Sequence, residues 1–490
     1  MKLSELIEVL KKSGNIVGVK GIPDIHVAGL AFDSRKIKPG EIFVAISGFK
    51  EDGHRFVPAA LKSGASGVCL EREISVPDNI ALIRVKDSRL ALAQISDFFY
   101  GHPSGNLRVF GVTGTNGKTT IVYMLESIGN SAGMRTGVIS TISYRIAGKA
   151  VPADRTTPES LDLQKMFVEM KSRGCVWAAM EVSSHSLVLH RVSGVEFSAA
   201  IFTNLTRDHM DFHKNRNEYM KAKAKLFEML GKDKTAVVNA DDPASNKVMS
   251  LTKAKVLTYG FGKKADIKPE NVRFSDGISF LACTPFGNTQ VKIKLLGRYN
   301  VYNSLAALGA GLSQGLKPEI VSAGLSRLEP VPGRFQHIPN TKGIAVVVDY
   351  AHTPDALEKT LMTARELKPG KIISVFGCGG DRDRTKRPEM GKISSQLADY
   401  TVITTDNPRS ENPEAIAEEI KAGVNSGHAF RIVLDREQAI RQAVEMAEKG
   451  DLVLLAGKGH EDYQIFSDRT IHFSDAEVAA EILSETGTKK

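Results

Sequence analysis

The amino-acid sequence predicts an α/β protein of three domains with a mostly parallel central sheet. Its 490 residues are too many for one hydrophobic core and suggest about three domains at the usual size of roughly 100 to 200 residues, although two domains stay possible. Near-continuous apolar runs alternate with helix-like segments, a pattern typical of a parallel sheet covered on both faces. Segments rich in glycine, proline and asparagine divide these runs into three sets.

The first set spans residues 1–103 and predicts a small α/β domain. Its opening segment has apolar residues at Leu3, Leu6, Ile7 and Leu10. This is the spacing of an amphipathic helix and not the unbroken core of a signal peptide. Apolar runs such as IHVAGLAF and EIFVAI then alternate with helix-like pieces such as SRLALAQISDFFYG, and the segment GHPSGN is the expected linker.

The second and third sets are assigned to residues 104–334 and 335–490. The second begins with the apolar strand RVFGVTG, a glycine-rich turn and a helix, and continues with the strands TGVIST, VWAAMEV and FSAAIFTNL. The third begins near AVVVDYA, after the expected hinge VPGRF, and its apolar strands alternate with amphipathic helices. Both sets predict parallel sheets.

Composition and charge are those of an ordinary soluble protein of the cytoplasm, and a solvated, mildly basic surface explains the charge better than nucleic acid or anionic small substrates do. The 65 basic and 56 acidic residues give a net charge of +9 but are interspersed, and no basic block indicates a nucleic-acid partner. No stretch approaches the roughly 20 apolar residues of a membrane span. The four cysteines lie far apart without CxxC spacing, which favours a reducing compartment.

The strongest motif is a phosphate-binding loop between a strand and a helix. Its residues are Gly114, Thr115, Asn116, Gly117, Lys118, Thr119 and Thr120. Backbone N–H groups at a helix start can surround phosphates, Lys118 can neutralise the terminal phosphates, and the Thr119 hydroxyl suits Mg²⁺. Val112 stands where the first glycine of GxxxxGK[ST] belongs, so the motif is a shorter variant. It predicts ATP as substrate with Mg²⁺ as cofactor.

Two further groups are candidates because they follow apolar strands. Glu181 ends the strand VWAAMEV, as a magnesium-binding acid ends a Walker-B strand, although an exposed strand-end carboxylate is the alternative. His209 lies beside Asp208 and Asp211 after the next apolar strand. The carboxyl edge of an open α/β sheet is where ligands bind, but a lone histidine is more commonly structural.

The chain resembles the Mur ligase family from end to end. The resemblance rests on DSR at 33–35, GTNGKTT, TTP, MEVSSH, NLTRDHMD, YMKAKAKLF, GCGGDRDRTKRP, DNPR and AGKGHEDYQ. The family joins amino acids to the UDP-N-acetylmuramoyl precursor of the bacterial cell wall, and the likeness is strongest to its members that add meso-diaminopimelate. It implies an amino-terminal domain for the UDP end, a central ATPase and a carboxyl-terminal Rossmann-like domain for the amino acid.

For the ATP site, the resemblance implies that Lys223 is carbamylated and so becomes an anionic oxygen ligand for Mg²⁺. Helical spacing alone makes Lys223 a surface lysine like Lys221 and Lys225. The implied metal set is Thr119, Glu181, His209 and carbamylated Lys223. The implied further nucleotide contacts are Asn300, Asn303, Arg334 and Asp349, although helix capping alone could explain Asn300.

For the precursor, the resemblance implies contacts from Ser34, Thr156, Thr157, Ser183 and Arg191. At two positions the chain departs from some relatives: Leu189 replaces a glutamine ligand, and Phe32 replaces a leucine. The contacts at these two positions are therefore not carried over. Neither position touches the reacting groups.

For the amino acid, the implied site is Arg382, Asp406, Asn407, Pro408, Arg409, Gly457 and Glu461. The planar guanidinium of Arg409 can hold the far carboxylate of diaminopimelate, a group that lysine lacks. Arg382 would take the other carboxylate and Glu461 an ammonium group. The DNP segment alone could be a turn and helix cap. GCGGDR is not a dinucleotide motif, because Arg382 takes the place of its last glycine.

The resemblance and these residues together imply an ATP-dependent ligase that forms an amide through an acyl phosphate, with the UDP-N-acetylmuramoyl dipeptide, meso-diaminopimelate and ATP as substrates. An L-lysine-adding or folate-glutamate ligase is the nearest alternative, and Arg409 disfavours lysine. A nucleic-acid-binding ATPase is supported only by basic charge and the phosphate loop, and it lacks stacking motifs. A non-catalytic binding module is disfavoured by the three combined sites. The expected state is a monomer.

Overall fold

The computed structural model describes residues 1–21, 24–48, 51–275 and 277–485, which form an α/β protein with several sheets. The amino-terminal part has a five-stranded sheet of order β1-β5-β4-β3-β2, parallel except for β1. Its strands are β1 (Ile16–Lys20), β2 (Gly29–Ala31), β3 (Glu41–Val44), β4 (Gly67–Leu70) and β5 (Ala81–Val85). Its helices are α1 (Leu3–Lys12), α2 (Val57–Lys62) and α3 (Ser88–Phe99), with 3-10 turns at Gly53–Phe56 and Pro103–Asn106.

The predicted amphipathic helix at the start of the chain is confirmed as α1. Its four apolar positions, Leu3, Leu6, Ile7 and Leu10, are at most 5% exposed and pack into the core of this sheet. Full burial of such side chains contributes roughly 1.5 to 3 kcal/mol each. The same core includes α3, whose amino terminus is capped by the Asp87 side chain.

The central part is built on an eight-stranded sheet of order β13-β12-β11-β6-β10-β7-β8-β9. The first six strands in this order are parallel, and β8 and β9 add an antiparallel hairpin. The strands are β6 (Arg108–Thr113), β7 (Thr136–Ile139), β8 (Ser143–Ile146), β9 (Lys149–Pro152), β10 (Trp177–Glu181), β11 (Phe197–Phe202), β12 (Thr235–Asn239) and β13 (Lys255–Tyr259). The predicted mostly parallel sheet is confirmed.

Helices cover both faces of this sheet and bury two apolar clusters. They are α4 (Lys118–Ser131), α5 (Ser160–Ser172), α6 (Ser184–Val188), α7 (Arg216–Glu228), α8 (Ser245–Leu251), α9 (Arg298–Ser313) and α10 (Pro318–Ser326). One cluster joins α4 and α9 to the sheet, and the other joins α5 and α7 to its opposite face. Trp177 is fully buried, and its indole N–H donates to the Leu125 carbonyl at 2.8 Å. Burial on both faces explains the near-continuous apolar strands.

A three-stranded antiparallel sheet lies beside α9 and α10, and the sequence analysis did not predict it. Its strands are β14 (Lys268–Ser275), β15 (Gly277–Cys283) and β16 (Thr289–Ile293). Burial alternates along β16, with Thr289, Val291 and Ile293 inside and the residues between them exposed. This alternation of period two is the normal signal of a half-covered strand.

The carboxyl-terminal part has a six-stranded sheet of order β17-β18-β22-β19-β20-β21, parallel except for β17. Its strands are β17 (Gln336–Ile338), β18 (Ala345–Asp349), β19 (Ile372–Phe376), β20 (Tyr400–Ile403), β21 (Phe430–Ile432) and β22 (Leu452–Ala456), and a separate two-stranded sheet contains β23 (Tyr463–Ile465) and β24 (Thr470–His472). Its helices are α11 (Pro354–Glu366), α12 (Lys386–Leu397), α13 (Pro413–Lys421), α14 (Arg436–Met446) and α15 (Asp475–Glu485).

The predicted boundaries at 103/104 and 334/335 fall between the large sheets. The amino-terminal sheet ends at Val85, the central sheet begins at Arg108, and the last large sheet begins at Gln336. The division into three domains at those positions stays a prediction. Within the described residues, no helix has both the length and the apolar character needed to cross a membrane.

Candidate functional site

The phosphate-binding loop leaves the carboxyl end of β6, a central strand of the eight-stranded sheet. Gly114 and Gly117 have φ angles of 144° and 89°, which side chains other than glycine's rarely allow. A Cβ atom on Gly114 would collide with the Thr203 hydroxyl, and one on Gly117 with the Asn303 side chain. Glycine at both positions therefore lets the loop pass close to β11 and α9.

The loop after β11 holds the phosphate-binding loop in place. The Thr115 backbone N–H donates to the Asn204 carbonyl at 2.9 Å, and the Asn116 N–H donates to the Asn204 side chain at 3.0 Å. The Thr203 hydroxyl donates to the Asn116 carbonyl at 2.6 Å. Among the described residues, no side chain caps α4, so its first-turn N–H groups stay available for an anion.

Lys118 folds back over this loop. Its Nζ donates to the carbonyls of Gly114 at 3.0 Å and Thr115 at 2.7 Å. Burial lowers the pKa of Lys118, while the negative charges of Glu181 and Asp208 oppose that change. A bound phosphate would give this ammonium group a charged partner in place of two carbonyls.

Glu181 is 1% exposed at the end of β10, so the interpretation as an exposed strand-end carboxylate is wrong. Its Oε1 accepts hydrogen bonds from the Thr141 N–H at 2.9 Å and the Thr141 hydroxyl at 3.2 Å. Thr141 follows β7, the neighbouring strand in the sheet, and the sequence analysis missed it. These two bonds fix the carboxylate at the carboxyl edge of the sheet, beside the phosphate-binding loop.

Lys223 is also 1% exposed, and the interpretation as a surface lysine is therefore wrong. Its Nζ donates to the Gly114 carbonyl at 2.8 Å and lies 4.4 Å from the centre of the Tyr219 ring. Burial and the charge of Lys118 hold its pKa well below the usual value, which favours a neutral amine. Lys221, two positions earlier on the same helix, is exposed.

His209 lies in the loop between β11 and α7 with a φ angle of 56°. Its Nε2 is 3.4 Å from an Asp208 oxygen, and its ring meets the His185 ring edge to face at 4.8 Å between centroids. Burial lowers the pKa of His209, so its imidazole is neutral and can act as a ligand. His185, on α6, was missed by the sequence analysis.

One cavity of about 590 Å³ collects the phosphate-binding residues. Its lining includes the predicted residues Thr115, Asn116, Gly117, Lys118, Thr119, Thr120, Thr156, Glu181, Ser183, His209, Lys223, Asn300, Asn303, Arg334 and Asp349. Gly114 does not line it, but its carbonyl binds both lysines. The structure thus brings the predicted metal set and nucleotide contacts to one space.

The donor types in this cavity suit Mg²⁺ only in part. Among the described residues, no group of three or more His, Cys, Asp or Glu side chains could hold a metal ion by itself. The cavity offers the Thr119 hydroxyl and the Glu181 carboxylate, and Mg²⁺ commonly binds one or two carboxylates together with substrate phosphates. Carbamylation of Lys223 would add the further anionic oxygens.

The nucleotide contacts implied by the family resemblance come from α9 and from the start of the carboxyl-terminal part. Asn300 donates to the Leu296 carbonyl at 2.7 Å and accepts from Asn303 at 2.9 Å, so it does not cap the helix N-terminus. Arg334 donates to the Thr119 hydroxyl at 2.9 Å. Asp349, at the end of β18, accepts from the Phe335 N–H at 2.7 Å, and burial raises its pKa.

Further contacts join α11 and α12 to the phosphate-binding side, and the sequence analysis missed them. An Asp355 oxygen accepts from the Asn116 amide at 2.7 Å and from the Thr206 hydroxyl at 3.3 Å. Arg207 pairs with Glu389 at 2.9 Å. Asp355 comes shortly after strand β18, so the rule that ligands gather at carboxyl edges could have indicated it.

Three of the residues that the family resemblance implies as precursor contacts lie next to Glu181. The Thr157 hydroxyl donates to the Glu181 carbonyl at 2.9 Å, and the Ser183 N–H donates to the Thr157 hydroxyl at 3.3 Å. The hydroxyl oxygens of Thr141 and Thr156 lie 3.1 Å apart. Ser34 is separate from these residues. It lies in the loop after β2 of the amino-terminal sheet and does not line the cavity of about 590 Å³.

Three arginines surround one carboxylate at the junction of the amino-terminal and central sheets. Glu159, whose side chain is 8% exposed, lies 2.8 Å from Arg191, 2.7 Å from Arg155 and 3.3 Å from Arg89. Only Arg191 was predicted. Asp162 adds a second negative charge near Arg155. The positive charge is still in excess, so the cluster favours a further anion.

A second cavity of about 500 Å³ adjoins the first and shares Thr141, Thr156 and Tyr350 with it. Glu461 and Tyr463 line it from the carboxyl-terminal side. Glu461 accepts hydrogen bonds from Asn407 at 2.9 Å, from Lys458 at 3.3 Å and from the Tyr350 hydroxyl at 3.4 Å. Glu461, which the family resemblance implies as a contact of the amino-acid substrate, therefore lines a cavity that adjoins the cavity of Lys118.

The other predicted amino-acid residues follow β20 and β22. Asp406 and Asn407 are at most 6% exposed, and Pro408 follows them. Gly457 lies close to Asp406, since a Cβ atom on this glycine would be 3.3 Å from an Asp406 oxygen. Arg409 has a φ of 53° and donates to the Gly380 carbonyl at 2.8 Å. Arg382 is exposed and donates to the Asp381 carbonyl. Both arginines flank Gly379, although neither lines the two cavities.

In a comparison with known proteins, all the family models that match this chain describe one family. Family models match residues 26–100 (Mur ligase family, catalytic domain), 112–311 (Mur ligase middle domain) and 333–459 (Mur ligase, glutamate ligase domain). The chain is 44% identical to the UDP-N-acetylmuramoyl-L-alanyl-D-glutamate--2,6-diaminopimelate ligases of Geobacillus kaustophilus and Clostridioides difficile, over 99% of this chain and all of theirs.

Solved structures agree with this assignment. A structure of UDP-N-acetylmuramoyl-L-alanyl-D-glutamate--2,6-diaminopimelate ligase matches all of both chains at 32% identity with a TM-score of 0.70. MurF ligase from Thermotoga maritima in complex with ADP matches 93% of this chain and 97% of its own at 20% identity, with a TM-score of 0.65, and shares the fold. The chain belongs to the Mur ligase family and is an ATP-dependent ligase.

Proposed function

We propose that the protein adds meso-2,6-diaminopimelate to the D-glutamate of UDP-N-acetylmuramoyl-L-alanyl-D-glutamate, with ATP as the energy source and Mg²⁺ as cofactor. The observation that carries the proposal is the pair of adjoining cavities, one around Lys118 and one around Glu461, with a shared wall of Thr141, Thr156 and Tyr350. Near-full-length relatives that bear this name add support.

The reaction needs two steps, because a carboxylate is a poor electrophile and must be activated before the amine attacks. An oxygen of the D-glutamate side-chain carboxylate attacks the γ-phosphorus of ATP, the bond to the β-phosphate oxygen breaks, and ADP leaves. The amine of diaminopimelate then attacks the acyl carbon, the bond to the phosphate oxygen breaks, and the amine loses a proton. The protein's part is to align these groups and stabilise their charge, as in other phosphoryl transfers.

In the larger cavity, the α4 N-terminus and Lys118 would hold the β- and γ-phosphates, and Asn300, Asn303, Arg334 and Asp349 would hold the rest of the nucleotide. Mg²⁺, when bound, would neutralise charge on the transferring phosphoryl group. Thr119, Glu181, His209 and the carbamate of Lys223 would hold it. Carbamylation needs a neutral amine, and the burial of Lys223 favours that form.

The precursor would run from the amino-terminal sheet to Glu181. Ser34 would meet its uridine end, and the excess positive charge around Glu159 suits its diphosphate. Thr156, Thr157 and Ser183 would orient the dipeptide toward the γ-phosphate. The three-domain division at 103/104 and 334/335, the cytoplasmic location and the monomeric state belong to the same proposal.

The amine would enter from the smaller cavity. Glu461 would pair with an ammonium group, while Arg382 and Arg409 would take the carboxylates, supported by Asp406, Asn407, Pro408 and Gly457. Arg409 gives the preference over lysine, since a guanidinium attracts the far carboxylate of diaminopimelate and repels the lysine ammonium.

Mass analysis of the product tests this proposal. The enzyme receives the UDP-dipeptide, ATP, Mg²⁺ and an equimolar mixture of meso-diaminopimelate, L-lysine and L-glutamate, and phosphate release is followed in parallel. We expect the diaminopimelate tripeptide as the main product, and phosphate release that requires the precursor. A main product containing lysine would reject the amine, and ATP hydrolysis stimulated by nucleic acid without precursor would reject the ligase reaction.

A further inference from the structure

Lys458 is a buried lysine inside the amino-acid site. It lies in the loop after β22, and its side chain is 0% exposed. Its Nζ is 3.3 Å from Glu461 Oε2, 3.3 Å from Asn407 Oδ1 and 3.7 Å from Asp406 Oδ1. A lysine so deeply buried normally requires charged partners, and these two carboxylates supply them.

The charges around Lys458 do not cancel. Asp406 and Glu461 contribute two negative charges and Lys458 one positive charge, so one negative charge remains. Glu461 is the member that lines the smaller cavity, whereas Asp406 is buried behind it. The excess negative charge is therefore presented to the cavity where a substrate ammonium group can balance it.

We propose that Lys458 is the positioning residue that keeps the Glu461 carboxylate ionised and aimed into the smaller cavity, where it receives an ammonium group of the incoming diamino acid. This inference rests on the proposed function. Lys458 lines neither cavity, so it acts through Glu461 and touches no reacting atom.

The surroundings of Glu461 explain why it needs such a partner. Burial raises the pKa of Glu461, the charge of Asp406 raises it further, and Lys458 and Asn407 lower it. The charged and titratable groups that act on it are Asp406 after β20, Lys458 in its own loop, Tyr350 after β18, Tyr463 on β23 and Arg436 on α14, and Arg409 and Asp462 act on Tyr463 beside it. Arg436 is already paired with Asp475 at 2.7 Å. Lys458 is thus the cation in direct contact with Glu461 in the described part of the chain.

The test replaces Lys458 with methionine, which keeps the length of the side chain and removes its charge. We expect the KM for diaminopimelate to rise about tenfold or more, because a buried charge pair is broken, while kcat and the KM for ATP stay within about twofold. The pH below which the KM for diaminopimelate rises should move upward, because Glu461 takes up a proton more easily without Lys458.

Lys421→Met is the matched control, since Lys421 also pairs with a glutamate three positions away, Glu418 at 2.8 Å, but on the exposed face of α13. It should leave both KM values and the pH profile unchanged. A Lys458→Met enzyme whose KM values for diaminopimelate and ATP rise together, or whose pH profile does not move, would overturn the inference.

A second pair of variants covers a folding defect. If Lys458→Met does not bind ADP, Asp406→Asn is compared with the double variant Asp406→Asn/Lys458→Met, in which the loss of the lysine is matched by the loss of one carboxylate. The double variant must have a higher KM for the amine than Asp406→Asn, with an unchanged KM for ATP. Equal KM values for the amine in these two variants would overturn the inference. If the wild type prefers L-lysine, the proposed function fails, and the same comparison with lysine as amine still decides the role of Lys458.

Discussion

The phosphate side and the amino-acid side of the candidate site differ in how their charged side chains are held. On the phosphate side, Glu181 and Lys223 are each 1% exposed and fixed by backbone atoms of the phosphate-binding loop or its neighbours. On the amino-acid side, Arg382 is exposed, and Arg409 is bonded to nearby carbonyls and to no carboxylate among the described residues. The phosphate side is thus preorganised for one reaction, whereas the amino-acid side keeps free charge for recognition.

The largest expected effect tests the preorganised side. We expect Lys223→Ala to lose about 100-fold or more of kcat, because a ligand of the proposed metal site disappears. A small carboxylate added to the assay should restore part of the activity. The measurement is precursor-dependent phosphate release. Lys221→Ala, an exposed neighbour on the same helix, is the control and should keep full activity. Full activity of Lys223→Ala would contradict the carbamate role.

A smaller effect is expected on the recognition side. Arg409→Ala should lower kcat/KM for diaminopimelate about 100-fold, leave the KM for ATP unchanged and reduce the preference over L-lysine toward one. Alanine tolerates the φ of 53° no better than arginine, so the backbone cost stays similar. Arg431→Ala, on the edge strand of the same sheet, is the control. If the preference survives in Arg409→Ala, this arginine does not cause it.

The smallest effect is on stability, and it sharpens the contrast between buried and exposed charge. Burial lowers the pKa of Lys223 in the folded protein, so the unfolded chain binds one more proton between that lowered pKa and the ordinary lysine value. Stability of the wild type then rises with pH in this window, by about 1.4 kcal/mol per pH unit at most.

The Lys223→Met chain has no lysine proton to lose on folding. It should therefore unfold at a higher temperature than the wild type in carbonate-free buffer, and the difference should be largest at the acidic end of this pH window. Thermal unfolding followed by circular dichroism from about pH 6 to 9 measures the difference, with Lys221→Met as control. A difference that does not depend on pH would show that Lys223 is protonated in the folded protein.

Local signals predicted much of the fold and of the phosphate side. The phosphate-binding loop is contiguous, and its glycines are required by the backbone itself, so residues 114–120 could be assigned from their order alone. The amphipathic pattern of α1 and the apolar strands of the parallel sheets were equally visible. The period-two pattern of β16 is visible in the sequence too.

Long-range packing set the limit of sequence reasoning. Lys221, Lys223 and Lys225 look alike along the chain, and only the packing of α7 against Gly114 distinguishes the buried one, so its role came from the family resemblance. Lys458 stood within the motif AGKGHEDYQ, but its pairing with Asp406 joins loops after two different strands. Such contacts depend on the register of the sheet, which no local pattern gives.

The arginine cluster around Glu159 links the amino-terminal and central parts of the molecule through ion pairs. Arg89 comes from α3, while Arg155 and Arg191 come from the central part, and all three converge on a single carboxylate. A diphosphate bound there would offset the excess positive charge and thereby tighten the joint between these parts. Salt should therefore weaken the affinity for the UDP-dipeptide, and the joint should be most stable when the precursor is in place.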